Sequence, residues 1–143
     1  MRQLNKIILH CTATPARREV TVKDIRTWHT TKPPYGRGWS DIGYHYVIYQ
    51  DGSIHKGRPF YKVGAHTLGQ NHDSIGVAYV GGVDGRGEPK DTMTKKQEQA
   101  FRDLVHMLRT LSPWPLAVKG HNDYSDKACP SFKMKNKFAD LIQ

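Results

Sequence analysis

The sequence predicts a single α/β domain spanning residues 1–143, built on a central mixed, partly parallel β-sheet flanked by helices. Three observations carry that expectation. Short runs of β-forming residues alternate with stretches of helical periodicity, the pattern of strands joined by helical crossovers. A length of 143 residues suits one hydrophobic core and leaves little for a second. Hydrophobic residues make up 37% of the chain, enough to fold, and neither an internal repeat nor a low-complexity segment divides it.

The elements follow in order. Residues 6–10, Lys-Ile-Ile-Leu-His, form a compact apolar run that reads as a buried strand delivering His10 and Cys11 at its C-terminal end. Thr21-x-x-Asp24 has the form of a capping box, and Val22, Ile25, Trp28 and His29 recur at helical spacing, so a first helix comes next. After a turn-rich segment, residues 44–49 are rich in β-formers, and Asp51-Gly52 is a hairpin signal before residues 53–56. Residues 74–80 make a further strand, stopped by Gly81-Gly82. Thr94-x-x-Gln97 opens the clearest helix, whose stripe of Phe101, Leu104, Val105, Leu108 and Leu111 is expected to face the core. Pro113 and Pro115 end it, residues 116–119 can form a short strand, and Met134, Phe138, Leu141 and Ile142 suggest a closing helix.

The formal net charge of +9 implies attraction to anionic surfaces. The Lys and Arg residues are scattered, which argues against nucleic acid as the main partner and for general adsorption to acidic polymers. No segment is long and apolar enough to insert in a membrane, and the N-terminus lacks a signal-peptide core, so synthesis in the cytoplasm is expected. Two cysteines, Cys11 and Cys129, are too few for a disulfide framework; one disulfide and a metal-ligand role both stay open.

The chemistry concentrates in His121-Asn-Asp-Tyr-Ser-Asp-Lys-Ala-Cys129, where a histidine and a cysteine eight positions apart flank a loop able to fold both onto one ion. Zinc accepts imidazole nitrogen and thiolate sulfur in a tetrahedral shell, and a catalytic site needs three protein ligands with one position open. His10, at the end of an apolar strand, is the best third ligand, although most lone histidines are structural or exposed. Cys11 would close the site as a fourth ligand. Adjacent side chains on a strand face opposite ways, however, so a metal-facing His10 sends Cys11 toward the core. Asn71 and Ser74 read as turn residues, and the three tryptophans as core, with Trp39 placed to line a groove beside Tyr44.

Five ordered motifs extend over most of the chain: Ile-Ile-Leu-His10-Cys-Thr-Ala-Thr, Trp39-Ser-Asp-Ile-Gly-Tyr44-His-Tyr-Val-Ile, Gly64-Ala-His66, the run from Asn71 to Gly82, and Gly120-His121 through Lys127-Ala-Cys129-Pro-Ser. In these the chain resembles the amidase-2 family, which includes the T7 lysozyme type of N-acetylmuramoyl-L-alanine amidase and the peptidoglycan recognition proteins. The resemblance implies their fold and a site holding one Zn2+ per chain through His10, His121 and Cys129. It places Tyr44 and Lys127 at catalytic positions and His66 at the border of the substrate groove.

The implied reaction is hydrolysis of the amide between N-acetylmuramic acid and L-alanine in bacterial peptidoglycan, by a monomeric phage or prophage endolysin that reaches the wall through holin-type release. In that scheme Lys127 stabilises the oxyanion, and Tyr44 serves the attacking water or proton transfer. No His-Glu-x-x-His pair occurs, so the glutamate base of that zinc-peptidase motif is missing. Some peptidoglycan recognition proteins keep the groove without the cysteine ligand and only bind; Cys129 separates this chain from them.

Overall fold

The computed structural model describes residues 2–142, and in it the N-terminal apolar run becomes β1 (Lys6–Cys11), with Ile7, Ile8 and Leu9 wholly excluded from solvent. Such burial requires neighbours on both edges and cover on both faces. The edges are taken by β5 (Ser74–Tyr79) and β7 (Ala117–Gly120), each parallel to β1. Beyond β5 lies β3 (Tyr46–Ile48), also parallel, and then β4 (Ile54–Lys56), which returns antiparallel through the Asp51-Gly52 hairpin. The sheet order is therefore β4-β3-β5-β1-β7, mixed and mostly parallel. At the hairpin Gly52 has φ +86, in the left-handed region that favours glycine, and Asp51 Oδ1 accepts from the Ser53 amide at 2.9 Å.

One face of the sheet presents Ile7, Leu9 and Cys11 of β1 with Ile75, Val77 and Tyr79 of β5. Against them packs α2 (Lys95–Leu111) through Phe101, Leu104, Val105 and Leu108. Thr94 caps that helix by accepting from the Gln97 amide, and Gln97 Oε1 accepts from the Thr94 amide in return. Gln97 is fully buried, and its Nε2 donates to Ile48 O and Val80 O, which pins the helix start to two strand ends. The other face is covered by α1 (Val22–Thr30), capped by the Thr21 and Asp24 box, with Ile25 packed among Val20, Ile42, Val47 and Val80.

On that second face β5 offers only Ser74, Gly76 and Ala78, the alternate positions to its large core residues. The parallel register sets Gly76 beside Ile8 and Ala78 beside His10. Small side chains there leave a recess, and a loop carrying His66 fills it. A Cβ on Gly76 would lie 2.5 Å from His66 Cδ2 and 2.6 Å from Cγ, so the ring rests on bare backbone.

Several local expectations change. Tyr44 and His45 precede β3, although His45 still donates its amide to Gly76 O (2.8 Å) and its carbonyl accepts from the Gly57 amide (2.8 Å). A small ribbon, β2 (Thr14–Pro15) with β6 (Gly82–Val83), was not foreseen, being two residues a side and too short to show a pattern. Leu111, expected on the core stripe, is 74% exposed at the last position of α2. The closing helix is only α3 (Met134–Lys137), followed by a 3-10 turn at Ala139–Leu141. Phe138, at φ −123 and ψ 33, leaves the helical path, and its ring is fully buried 5.0 Å from Phe101. Burial of that ring outweighs one more turn of helix. Among the described residues no helix is long and apolar enough to cross a membrane.

Candidate metal centre and groove

Ligands of parallel-sheet proteins gather beyond the carboxyl ends of the strands, and the same end of this sheet collects His10, His121 and Cys129. His10 is the penultimate residue of β1. His121 directly follows β7 and opens a 3-10 turn, His121–Asp123, held by the Gly120 amide donating to Asp123 Oδ2 at 2.8 Å. Cys129 arrives on the long connection after it, and its Sγ accepts from the Cys11 amide at 3.2 Å. One nitrogen from each histidine and the cysteine sulfur lie within 4.8 Å of one another.

The donor set and its spacing fit a zinc ion. Zinc–nitrogen and zinc–sulfur bonds of tetrahedral sites give a nitrogen-to-sulfur edge of about 3.6 Å, and His10 Nδ1 stands 3.8 Å from Cys129 Sγ. His10 is 1% exposed; burial, then the charges of His66, His121 and Lys127, hold its pKa well below the usual histidine value. Burial and Lys127 also lower His121. Both rings are therefore neutral at neutral pH, the state that ligates a metal. The Cys129 thiol is pushed upward by its hydrogen bond with Cys11 and by burial, so its thiolate calls for a cation beside it.

Cys11 turns away, as strand alternation requires. Its side chain is buried within the core cluster, with Sγ 3.8 Å from Ser131 Oγ, and both cysteines are free thiols.

The converging ligand atoms sit in the floor of an open groove of about 900 Å3, whose walls include Trp28, His29, Arg37, Trp39, Tyr44 and Lys127. The Tyr44 ring is 5.2 Å from that of His10, and burial, followed by the nearby cysteines, raises its pKa, so the phenol keeps its proton as a donor. Behind Tyr44 stands His29, whose Nδ1 accepts from the Gly43 amide (2.9 Å); burial, then Arg37 and Arg58, lower its pKa to about 4. Lys127 is exposed at the groove rim. Trp39 lines the groove, and Arg37 lies over its ring at 5.0 Å.

His66 also borders the groove, but both of its ring nitrogens turn inward. Nδ1 is 2.9 Å from His10 Nε2 and 3.0 Å from Thr67 Oγ1, while Nε2 is 3.3 Å from Ser74 Oγ. Burial, then His45 and His121, lower its pKa to about 3. Asn71 and Ser74 act structurally, as expected. Asn71 Oδ1 accepts from the amides of His66 (3.0 Å) and Thr67 (2.9 Å), which shapes the loop. Sequence reasoning passed over Thr67, whose hydroxyl reaches His10 Nε2 at 3.2 Å across 57 positions of chain, and His29 as the prop for Tyr44. No local spacing signals either contact; only the Gly-Ala-His-Thr stretch marks where to look.

The Amidase_2 family pattern, N-acetylmuramoyl-L-alanine amidase, matches residues 1–132. The chain is 38% identical to the endolysin of Enterobacteria phage K11 over 143 residues, covering 99% of this chain and 91% of that protein. It is 42% identical to the endolysin of Escherichia phage T7 over 130 residues, covering 90% and 82%. Among solved structures it is similar to the N-acetylmuramoyl-L-alanine amidase LysC from Clostridium intestinale URNW, with TM-score 0.79, 30% identity, and 98% and 86% of the two chains covered. Drosophila PGRP-LB matches with TM-score 0.75 at 26% identity, covering 91% of this chain and 76% of that one. The fold is thus shared by lytic enzymes and recognition proteins. With its motifs, groove and converging His10, His121 and Cys129, the chain belongs to the Amidase_2 family of N-acetylmuramoyl-L-alanine amidases.

Proposed function

We propose that this chain is a zinc-dependent N-acetylmuramoyl-L-alanine amidase that cleaves the bond between N-acetylmuramic acid and L-alanine in peptidoglycan, as a phage or prophage endolysin. The observation that carries the zinc assignment is the convergence of His10, His121 and Cys129 ligand atoms within 4.8 Å on the groove floor. Three ligands with a side open to the groove make a catalytic rather than a closed structural arrangement. A zinc ion held there supplies Lewis acidity, polarising the scissile carbonyl and acidifying water near neutral pH.

The rest falls to the chain's own side chains. The groove walls orient the glycan and stem peptide, and Trp28 and Trp39 offer flat apolar surface with Arg18 and Arg37 stacked on their rings. The Lys127 ammonium, at the rim beside His10 and His121, stabilises the negative charge that grows on the carbonyl oxygen. The Tyr44 phenol holds its proton on Oη and donates a hydrogen bond into the groove, which orients the attacking oxygen. His66 meets the substrate only through a ring edge, since its nitrogens are engaged elsewhere.

The net charge of +9 aids adsorption to anionic wall material. The phage endolysin relatives support action on the cell wall; action as a monomer after holin-type release is part of the same proposal. Purified protein with and without a chelator, added to a peptidoglycan suspension, tests the reading. Clearing and release of L-alanine amino termini are expected only without chelator, with one zinc per chain by metal analysis. Equal activity in both samples would sink the zinc mechanism, and release of sugar reducing ends in place of amino termini would sink the amidase assignment.

A further inference from the structure

The hydrogen bonds around His66 have only one consistent direction. Ser74 Oγ lies 2.7 Å from Gln70 O, an acceptor, so the single hydroxyl proton of Ser74 is committed to that carbonyl. At its other neighbour, His66 Nε2 at 3.3 Å, Ser74 Oγ can therefore only accept. His66 thus carries its proton on Nε2 and leaves Nδ1 bare. That bare nitrogen faces His10 Nε2 at 2.9 Å, which must then be the protonated nitrogen of His10. The Thr67 hydroxyl, 3.2 Å from His10 Nε2 and 3.0 Å from His66 Nδ1, fits the same scheme by accepting from His10 and donating to His66. What remains unprotonated on His10 is Nδ1, the atom 3.8 Å from Cys129 Sγ.

The placement of the ring is built into the sheet as well. His66 lies over Gly76, where any Cβ would collide with it, and its ring stands edge-on to that of His10 at 4.9 Å and 89°. Asn71 holds the backbone amides of His66 and Thr67 together. The ring has a dedicated recess and a fixed orientation, and both serve His10 near the end of β1.

We propose that His66 is a positioning residue of the metal centre: its bare Nδ1, oriented by Ser74 and seated on Gly76, fixes His10 in the tautomer that presents Nδ1 to the metal. A ligand histidine held through its other nitrogen is oriented and made a better donor, and loss of such a partner costs about 10- to 100-fold in metal affinity. The inference rests on the zinc reading of His10, His121 and Cys129, and the experiment separates the two.

Zinc dissociation constants are measured by competition with a chromophoric chelator for the full chain, His66→Ala and His66→Asn. Asparagine carries an oxygen where histidine has Nδ1, so it keeps the acceptor and discards the ring. His66→Ala is expected to bind zinc about 10- to 100-fold more weakly, with His66→Asn recovering most of the loss. A nitrogen-15 NMR spectrum of the metal-free wild type is expected to show the His10 proton on Nε2, and that readout needs no variant to fold. Wild-type protein that binds no zinc would overturn the metal reading itself. Wild type that binds zinc, with His66→Ala binding equally well or with the His10 proton on Nδ1, would overturn only the role of His66.

Discussion

Acid should destabilise this protein in part through His45, and replacing that residue by asparagine should remove its share of the effect. His45 is 1% exposed. Its Nδ1 accepts from the Gly76 amide at 3.0 Å, and its Nε2 donates to Lys62 O at 2.8 Å, so a second ring proton would meet an N–H instead of an acceptor. Burial is the main cause that lowers its pKa to about 4, with Arg2 and Arg58 adding to it. The unfolded imidazole takes up a proton below about pH 6.5, while the folded ring refuses it until about pH 4. Stability is therefore complete above the unfolded value and is lost as pH falls through that window. At about 1.4 kcal/mol per unit the whole contribution is about 3 kcal/mol, most of which has gone by about pH 4.5.

The assay is urea unfolding followed by tryptophan fluorescence, with chelator present so that metal binding does not enter the comparison. Between about pH 7.5 and about pH 4.5 the wild type should lose about 2–3 kcal/mol more than His45→Asn, a difference of about 1–2 M in urea midpoint. The asparagine oxygen can still accept from Gly76, so the variant keeps that bond. Equal losses in the two proteins would refute the argument and move the acid sensitivity elsewhere.

Three further outcomes are expected. Lys127→Ala should lower kcat by about a hundred- to a thousandfold with zinc content unchanged, and loss of zinc alongside activity would show the lysine to be structural. Tyr44→Phe, which keeps the ring beside His10, should lower kcat without altering the dissociation constant for zinc; an unchanged kcat would remove the phenol from the mechanism. Leu104→Ala should cost about 2–5 kcal/mol in denaturant unfolding, whereas Leu111→Ala should stay within about 0.5 kcal/mol, because the first side chain is 2% exposed and the second 74%. Comparable losses for the two would mean that the last turn of α2 is packed.

Local features were legible because local physics writes them. The boxes at Thr21 and Thr94 close within three residues, β1 announces itself by an unbroken apolar run, and Asp51-Gly52 marks its hairpin; all appear where expected. The exceptions are places where a distant partner outbid the local preference. Phe138 leaves its helix to reach Phe101, and Arg102 donates to Lys137 O while Arg109 donates to Leu141 O, so α2 shapes that turn. The ribbon of β2 and β6 has no periodicity to read, since two residues cannot show one.

By itself the sequence determined the class of fold, the helix caps, the ordered motifs of the family and the identities of the three residues now found together at the carboxyl end of the sheet. It could do so because residue type and short-range periodicity are local properties, and because motif order marks common descent. Only the tertiary structure decided how those residues meet. Cys129 lies against the Cys11 amide across 118 positions of chain, and His10 meets His66 across 56. The alternation of Ser74, Gly76 and Ala78 with Ile75, Val77 and Tyr79 was present in the sequence as a row of small residues. That the row is a seat for a histidine ring, and that Ser74 within it sets the direction of the hydrogen bond between that ring and His10, follows from the packing of a separate loop upon it.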